Sequence, residues 1–388
     1  MDAFTYSAPT QVIFGQDAVD LIGWHIVKEA SSVLLVMGGG SARKNGAYEA
    51  ATRSLQEAGV DWTEFWGIKP NPSLEQIEAG INIARKASVG AVLGIGGGSV
   101  IDAAKAIAAG FYLDDYWERV ESRKTVERSL PVYTVVTLSG TGSEMNGKAV
   151  ITNEQLQKKW SLGGHCMIPK VTAIDPLYQV QTPWHLTAGS GIDAMTHIME
   201  NYFRGRISDK RTGYFNEETT LNICEGLLIS LINSMHSLQH DPSNYEARAN
   251  LAWASCLSLN GLTGCGLSGG DWTSHALEHA LSGRFPHVPH GEGLAVIFPS
   301  WMQQVCAKAP DIFNRFAATV WGQDTIQGGI DATRAAFSAW GAPSRLSSWG
   351  VTEEDVPHLV DNAFAYRALG RIAPLSKDDV AEIFMRVL

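Results

Sequence analysis

The sequence predicts two domains, an N-terminal α/β domain built on a parallel sheet and an all-α C-terminal domain. Short apolar runs alternate with helical patterns over residues 1–180, and two of these runs end in Gly-Gly-Gly-Ser turns. Helical patterns without a convincing strand follow over residues 181–388. We therefore expect one domain in each range, with the boundary near 179–183.

The elements of the first domain follow from two patterns. Short, largely apolar runs indicate buried strands of a parallel sheet, and the segments between them repeat apolar residues at helical spacing. Two prolines, Pro70 and Pro72, indicate a loop between two of the elements. The predicted elements are a strand or hairpin at 4–14, a helix at 17–29, a strand at 33–37, a helix at 47–58, a strand at 62–66, a helix at 74–88, a strand at 89–95, a helix at 100–109 and a strand at 132–138.

The second domain is predicted to be helical because apolar residues recur along long segments at the spacing of one helical face. No internal repeat or low-complexity segment interrupts this pattern. Several more helices are expected toward the C-terminus, after helices at 186–203, 216–236, 247–262, 271–281 and 294–307.

The composition is that of a soluble globular protein. Of 388 residues, 45% are hydrophobic and 18% are charged, and the formal net charge is -10. An acidic chain without a basic block is a poor candidate for binding nucleic acid or anionic membranes. No signal peptide is apparent at the N-terminus, and the five scattered cysteines form no Cys-x-x-Cys pair. These features predict a cytoplasmic protein with reduced thiols.

Glycine-rich turns predict a nucleotide site. Such turns let backbone N–H groups approach a phosphate, and the N-terminus of the following helix favours negative charge. A single turn of this kind is equally well a tight strand-to-helix connection, with Ser99 as the helix N-cap. Neither Gly-rich turn fits the Gly-x-Gly-x-x-Gly fingerprint. The nucleotide interpretation is favoured because three turns occur together, Gly38-Gly39-Gly40-Ser41, Gly96-Gly97-Gly98-Ser99 and Thr141-Gly142-Ser143.

The first turn also bears on which cofactor is bound. An acidic residue after this strand would bind a ribose 2′-hydroxyl and repel a 2′-phosphate. The sequence has Gly39, Gly40 and Ser41 here, followed by Arg43 and Lys44. Hydroxyl and cationic groups suit a phosphate, so NADP(H) is predicted rather than NAD(H). The alternative is that the two cations are solvated surface charges.

Two residue pairs have the spacing of side chains that share one helical face. Asp193 and His197 are four positions apart, and so are His275 and His279. An unpaired carboxylate at Asp193, among apolar neighbours, would be costly, and a divalent metal would remove that cost. A single histidine is more often a satisfied core residue, but the two pairs together indicate a metal site.

The predicted ligands are Asp193, His197, His275 and His290. Three imidazoles and one carboxylate suit Zn²⁺ or Fe²⁺ and do not decide between them. His287 lies in the same loop as His290 and is the rival for the last ligand.

With these motifs in place, the chain resembles the iron-containing (group III) alcohol dehydrogenases over nearly its whole length. Within them it looks most like the branch of NADPH-dependent butanol dehydrogenases and aldehyde reductases. The resemblance depends on specific motifs, namely Pro70-Asn71-Pro72, Gly96 to Asp102, Thr141-Gly142-Ser143-Glu144, Asp175-Pro176-Leu177-Tyr178, Gly191 to His197, His275 to His279 and Pro289-His290-Gly291.

The resemblance implies a dinucleotide-binding α/β domain, a helical domain, and a metal-containing cleft between them. It implies the same four metal ligands, with His279 near the nicotinamide and the substrate as a non-ligand, so that these five residues form the expected catalytic set. It also implies a homodimer as the default assembly. The expected cofactor-binding residues are Gly38, Gly39, Gly40, Ser41, Asn71, Gly96, Gly97, Gly98, Ser99, Asp102, Thr137, Thr141, Ser143, Lys159 and Tyr178.

Several of these residues also have purely structural interpretations. Asp102 would equally well satisfy the start of its helix, Asn71 would shape its turn, and Lys159 would be a surface charge. The chain departs from the family pattern in a longer loop at 284–290, in Ser139-Gly140 and at 160–167.

The expected reaction is the interconversion of a short-to-medium aldehyde and a primary alcohol. The metal would polarise the carbonyl oxygen and the nicotinamide would transfer hydride. The alternatives are a lyase like the dehydroquinate synthases, another polyol dehydrogenase on this scaffold, a metallohydrolase, or a non-enzymatic protein that binds metal and nucleotide. Arg284 is the only obvious cation near 275–290, which counts against the lyase.

Overall fold

The computed structural model describes all 388 residues. The chain folds into two compact units. The sheet unit comprises Ala8–Pro183 and His240–Cys256, and the helical unit comprises Met1–Ser7, Trp184–Gln239 and Leu257–Leu388. The predicted division between residues 180 and 181 therefore differs from the structure in two segments. Met1–Ser7 belongs to the helical unit, and His240–Cys256 belongs to the sheet unit.

The regular elements are ten strands and fifteen α-helices. The strands are β1 (Gln11–Phe14), β2 (Ser32–Met37), β3 (Asp61–Phe65), β4 (Ala91–Gly96), β5 (Val132–Val136), β6 (Lys148–Asn153), β7 (Lys158–Gly163), β8 (Val171–Ile174), β9 (Ile207–Asp209) and β10 (Tyr214–Phe215). The helices are α1 (Ile22–Ile26), α2 (Ser41–Lys44), α3 (Ala47–Ala58), α4 (Leu74–Ala87), α5 (Gly98–Gly110), α6 (Tyr116–Glu121), α7 (Trp184–Tyr202), α8 (Glu218–His240), α9 (Tyr245–Ser258), α10 (Thr273–Arg284), α11 (His290–Val305), α12 (Pro310–Trp321), α13 (Ile326–Ala339), α14 (Val356–Tyr366) and α15 (Lys377–Met385).

The sheet unit is built on six parallel strands, which confirms the predicted parallel sheet. Their order is β1-β8-β5-β4-β2-β3. Met37 at the end of β2 pairs with Ile95, and Gly96 at the end of β4 pairs with Val136 at the end of β5. The register therefore brings the three Gly/Ser/Thr turns to the same edge of the sheet, where ligands bind in folds of this kind.

The strands of the sheet centre are buried on both faces, as their apolar runs predict. Every residue of β2 after Ser32 is completely buried, and the buried residues of α5 are small or branched apolar side chains except for Lys105. Ser99 is not the N-cap of α5, since the helix begins at Gly98 and Gly97 occupies the cap position without a side-chain bond. The N-cap interpretation of Ser99 was therefore wrong.

Helix α9 belongs to the sheet unit because its apolar face packs there. Ala252 and Cys256 join Ile101, Val136 and Ile174 in one buried cluster. A sequence pattern shows that a helix is amphipathic, but it does not show which surface covers the apolar face.

The N-terminal residues belong to the helical unit for a similar reason. The backbone N–H of Asp2 donates to the carbonyl of Gly266, and the Asp2 carboxylate accepts from Arg206 at 2.7 Å. The predicted strand at 4–14 is consequently shortened to β1, while the predicted helix at 17–29 divides into one 3₁₀ turn and α1. Three strands, β6, β7 and β8, follow the last strand predicted for the first domain.

The helical unit contains a long buried helix, α7. All residues from Gly191 to Tyr202 are buried. Gly291, the second residue of α11, lies against Gly189 of α7, and a Cβ atom at Gly291 would stand 2.0 Å from the Gly189 carbonyl oxygen. Glycine at this position lets the two helices approach closely. The unit also contains the short antiparallel pair β9 and β10, where no strand was predicted.

No helix combines the length and the apolar character that a membrane span requires.

Candidate metal centre and cofactor turns

Three histidines surround one carboxylate oxygen in the helical unit. The Oδ1 atom of Asp193 lies 3.6 Å from Nε2 of His197, 3.7 Å from Nε2 of His275 and 3.5 Å from Nε2 of His290. The four predicted ligands therefore converge on one point, although they come from three helices.

Helix geometry explains how the four side chains meet. Asp193 and His197 share one face of α7, His275 is in the first turn of α10, and His290 is the first residue of α11. The close approach of α11 to α7 at Gly291 places the neighbouring His290 beside Asp193.

The donor atoms meet the requirements of a divalent cation site. Ligand atoms of Asp193, His275 and His290 all lie within 4.8 Å of one another. His197 lies outside this group of three, and its ring stacks on that of His275 at a centroid distance of 4.7 Å. Neither Oδ1 of Asp193 nor Nε2 of His275 has a hydrogen-bond partner, although both atoms are buried. Buried polar atoms without partners are costly, and a shared cation would satisfy both.

The electrostatics of the cluster favour an ionised carboxylate. Burial raises the pKa of Asp193, but the imidazoles of His197, His290 and His275 lower it more, so the pKa lies below its ordinary value. Burial lowers the pKa of His197 to about 4, which leaves that imidazole neutral and able to bind a metal.

His275 behaves differently from His197. Burial lowers the pKa of His275, but the neighbouring carboxylates of Asp193 and Glu200 outweigh it and raise the pKa to about 9. In the metal-free protein this imidazole therefore retains a proton at neutral pH, which a metal would have to displace.

Two buried glutamates contact the outer nitrogens of the histidines. Glu200 lies 3.1 Å from Nδ1 of His275 and also accepts a hydrogen bond from the backbone N–H of that residue. Glu278 contacts Nδ1 of His290 in the same way. A carboxylate on the outer nitrogen directs the other nitrogen toward the metal and fixes the tautomer.

Sequence reasoning did not find these two glutamates, although their spacing contains a signal. Glu200 lies seven positions after Asp193, two helical turns along the same face of α7, and Glu278 lies three positions after His275 on α10. A glutamate one or two helical turns after a predicted metal ligand on the same helix is the pattern that would have identified them.

The structure separates the two remaining histidines of this region. His279 is half-buried, and its ring centroid lies 5.4 Å from that of His290 and 6.5 Å from that of His275. His287 is exposed, and its Nε2 lies 3.2 Å from the backbone oxygen of Trp349. The geometry thus favours His290 over His287 as the fourth ligand.

The first Gly-rich turn of the sheet unit leaves room for a ligand at its backbone. Nothing lies within 4 Å of where a Cβ atom would be at Gly39 or Gly40, and Gly40 has a φ of +111°. At Gly98 a Cβ atom would stand 2.2 Å from Thr141, so glycine allows the second and third turns to meet. Thr137 closes the same edge by donating its backbone N–H to Gly96 at 3.0 Å. An exposed backbone with converging turns fits a dinucleotide.

Side chains around the third turn are held by internal contacts. Asp102 accepts hydrogen bonds from the Ser143 hydroxyl and from the backbone N–H of Val150, the latter at 2.9 Å. Lys105 is fully buried and donates to the carbonyl of Ser143 at 2.9 Å. The Asp102 carboxylate therefore ties α5 to β6 and to the turn at Thr141, and it does not cap the helix start as the alternative interpretation proposed.

The other predicted cofactor residues lie in distinct settings. Lys159 is buried on β7, so the interpretation as a surface charge was wrong. Asn71 has a φ of +54°, which agrees with a turn-shaping role. Tyr178 is half-buried, and its carbonyl accepts a hydrogen bond from Asn45 at 2.7 Å, next to the first Gly-rich turn.

Comparison with protein families agrees with this architecture. Residues 9–176 match the family described as iron-containing alcohol dehydrogenase, and residues 187–388 match the C-terminal domain of the Fe-containing alcohol dehydrogenase family. The chain belongs to the iron-containing alcohol dehydrogenase family, which confirms the resemblance predicted from the motifs, and it is an alcohol dehydrogenase by class.

Individual relatives match the chain over all or most of its length. NADH-dependent butanol dehydrogenase A of Clostridium acetobutylicum is 37% identical over 399 residues, covering 100% of both chains. NADPH-dependent aldehyde reductase YqhD of Escherichia coli is 32% identical and covers 93% of this chain and 92% of its own. The crystal structure of NADH-dependent butanol dehydrogenase A from Thermotoga maritima has a TM-score of 0.94 and 38% identity, covering 100% of this chain and 99% of that one. These matches also confirm the predicted fold class.

Proposed function

We propose that the protein is a metal- and NAD(P)H-dependent alcohol dehydrogenase that interconverts short-to-medium aldehydes and primary alcohols. The observation that carries the proposal is the carboxylate oxygen of Asp193, which is buried without a hydrogen-bond partner among three imidazole nitrogens. Membership of the iron-containing family and the names of the relatives support the reaction class.

Asp193, His197, His275 and His290 would hold the metal. The donor set of one carboxylate and three imidazoles suits Fe²⁺ or Zn²⁺. When bound, the metal would supply Lewis-acid activation of the substrate carbonyl, and the nicotinamide would supply the hydride.

The surrounding residues orient the ligands and move the proton. Glu200 and Glu278 would keep the outer nitrogens of His275 and His290 occupied, so that the inner nitrogens face Asp193. His279 would exchange a proton between an imidazole nitrogen and the alcohol oxygen, because its half-buried ring lies beside that of His290.

The cofactor would bind at the carboxyl edge of the sheet. Backbone N–H groups of the turns at Gly38, Gly96 and Thr141 would receive the phosphates, with Lys159 and Tyr178 nearby in the roles that the resemblance implies. Ser41, Arg43 and Lys44 support NADP(H), as the E. coli relative is named NADPH-dependent, while the Clostridium relative is named NADH-dependent.

We further propose a cytoplasmic homodimer. All five cysteines are free, which suits a reducing compartment, and the dimer rests on the family resemblance. Light scattering after size-exclusion chromatography would test the assembly, and a monomer would contradict it.

The proposal is tested by removing the central carboxylate. Asp193→Asn, purified alongside Asp209→Asn as a control at a half-exposed carboxylate, is assayed for metal content and for butanal reduction with NADPH and with NADH. We expect the Asp193 variant to lose both the metal and about 100-fold or more of kcat/KM, and the control to retain both. Metal-stripped wild type that kept full activity would refute the Lewis-acid role. Cofactor binding without turnover of any aldehyde would favour a sensing protein.

A further inference from the structure

Four side chains form a compact cluster beside the first Gly-rich turn. Arg43 is on α2, Tyr48 on α3, Glu64 on β3, and Trp66 follows β3 directly. The cluster adjoins the turn because β3 pairs with β2, and because the N–H of Gly67 donates to the carbonyl of Gly38 at 3.3 Å.

The cluster encloses the guanidinium of Arg43. This group lies 4.3 Å from the ring centroid of Trp66 and 4.8 Å from that of Tyr48, and it donates to Glu64 at 3.3 Å. Cation–π contacts and an ion pair therefore hold the same cation. Arg43 retains 54% of its side-chain exposure, so the group is held but accessible to a ligand.

Glu64 is in turn fixed by the two aromatic residues. Its carboxylate accepts a hydrogen bond from Nε1 of Trp66 at 2.6 Å and another from the hydroxyl of Tyr48. These two bonds lower the pKa of Glu64, so the carboxylate is ionised at neutral pH. A negative charge is thus permanently placed against the arginine that follows the turn.

A 2′-phosphate distinguishes NADPH from NADH, and its recognition depends on free cations. Arginine binds phosphate through its planar fork of donors. An arginine already paired with a carboxylate must give up that pair first, and the carboxylate itself repels the phosphate. Lys44 is the other cation after the turn, and it is exposed.

We infer that Glu64 sets the preference between NADH and NADPH by neutralising Arg43 beside the Gly38–Ser41 turn. The inference rests on the proposed function, in which the cofactor binds at this turn and Ser41, Arg43 and Lys44 support NADP(H). Glu64 counteracts the preference for NADP(H) that Arg43 and Lys44 alone would produce.

The test removes the charge and keeps the shape. In Glu64→Gln the amide oxygen can still accept from Trp66 and the amide NH2 group can donate to the Tyr48 hydroxyl, but Arg43 loses its ionic partner. The matched control is Glu49→Gln, an exposed carboxylate on α3 without an arginine contact in the cluster. Two probes are titrated calorimetrically, 2′,5′-ADP and 5′-AMP, so that the readout does not depend on metal or turnover.

We expect Glu64→Gln to raise the affinity for 2′,5′-ADP relative to 5′-AMP by about fivefold, and the NADPH-to-NADH ratio of kcat/KM by a similar factor. The gain should shrink as salt increases, because the new contact is partly exposed. Adding Arg43→Gln to Glu64→Gln should abolish the gain, whereas Arg43→Gln alone should change the ratio less.

An unchanged ratio in Glu64→Gln, or an equal change in Glu49→Gln, would overturn the inference. Failure of the proposed function has a different signature, since wild-type protein would then reduce no aldehyde with either cofactor. Calorimetry of the two adenosine probes still tests the role of Glu64 in that case.

Discussion

Glu200 lies 3.1 Å from Nδ1 of His275, and Nε2 of the same ring lies 3.7 Å from the Asp193 carboxylate. One imidazole thus lies between two buried carboxylates, one from an aspartate and one from a glutamate. The outer carboxylate orients the ring, and the inner one shares the space that we assign to the metal. This arrangement leads to the first prediction.

Replacing the outer carboxylates should weaken metal binding without unfolding the protein. Glu200→Gln and Glu278→Gln are each expected to lower metal affinity by about 10- to 100-fold, because the amide orients and polarises the imidazole less well. Competition with a chromophoric chelator measures the affinity. Glu382→Gln, at a carboxylate that is 63% exposed, is the control. Unchanged affinity in both buried variants would contradict the orienting role.

The choice between His290 and His287 can be decided by two alanine variants of one loop. His290→Ala is expected to lose the metal and about 100-fold or more of kcat/KM, because a ligand is removed. His287→Ala should retain both, because His287 is exposed and contacts the Trp349 carbonyl. Metal analysis and butanal turnover on both proteins give the answer. The reverse result would show that the loop rearranges when metal binds.

Metal binding should release a proton from His275. The pKa of this residue is raised from 6.5 to about 9 in the metal-free protein, so the ring is protonated below that pH and must lose its proton to bind a metal. His197, with a pKa of about 4, has no proton to lose in this range. We expect about one proton released per metal near pH 8, and an affinity that rises with pH and levels off above about 9.

Calorimetry in buffers of different ionisation enthalpy measures this release. Glu200→Gln should reduce it, since Glu200 is one of the two groups that raise the pKa of His275. A binding enthalpy that is the same in every buffer would contradict the prediction.

A buried carboxyl away from the metal should make stability depend on pH. Burial raises the pKa of Glu144 above 4.5, and Cys256 contacts its carboxyl at 3.1 Å. The native state therefore binds the proton more tightly than the unfolded state, and the stability from this group is present below about pH 4.5 and lost as pH rises through the native pKa. Glu144→Gln should gain about 1 kcal/mol or more relative to wild type between about pH 5 and pH 8.

Urea unfolding of wild type and Glu144→Gln at about pH 5 and about pH 8 measures this gain in stability. Glu154→Gln, at an exposed carboxylate of the same unit, provides the control for general charge effects. A stability difference between wild type and Glu144→Gln that does not vary with pH would mean that Glu144 is ionised in the native protein.

The first domain was predictable where apolar runs were long enough to indicate buried strands. β2 and β4 are examples, because both faces are covered and every position is apolar or small. The hairpin of β6 and β7 was missed because charged and polar residues such as Lys148 and Asn153 hide the strand pattern. Its place depends on long-range contacts, including the bond from the Thr152 N–H to the Pro72 carbonyl at 2.9 Å.

Local spacing by itself determined that Asp193 and His197 share a helical face and that glycine turns follow apolar strands, because these relationships depend on backbone geometry within one element. The tertiary structure decided the rest of the site. The approach of α11 to α7 at Gly291 selects His290 over His287, and the packing of α10 brings Glu200 to His275. Such contacts join residues 75 or more positions apart, and no periodicity in the sequence predicts them. Nor does periodicity distinguish His290 from His287, which lie three positions apart in one loop.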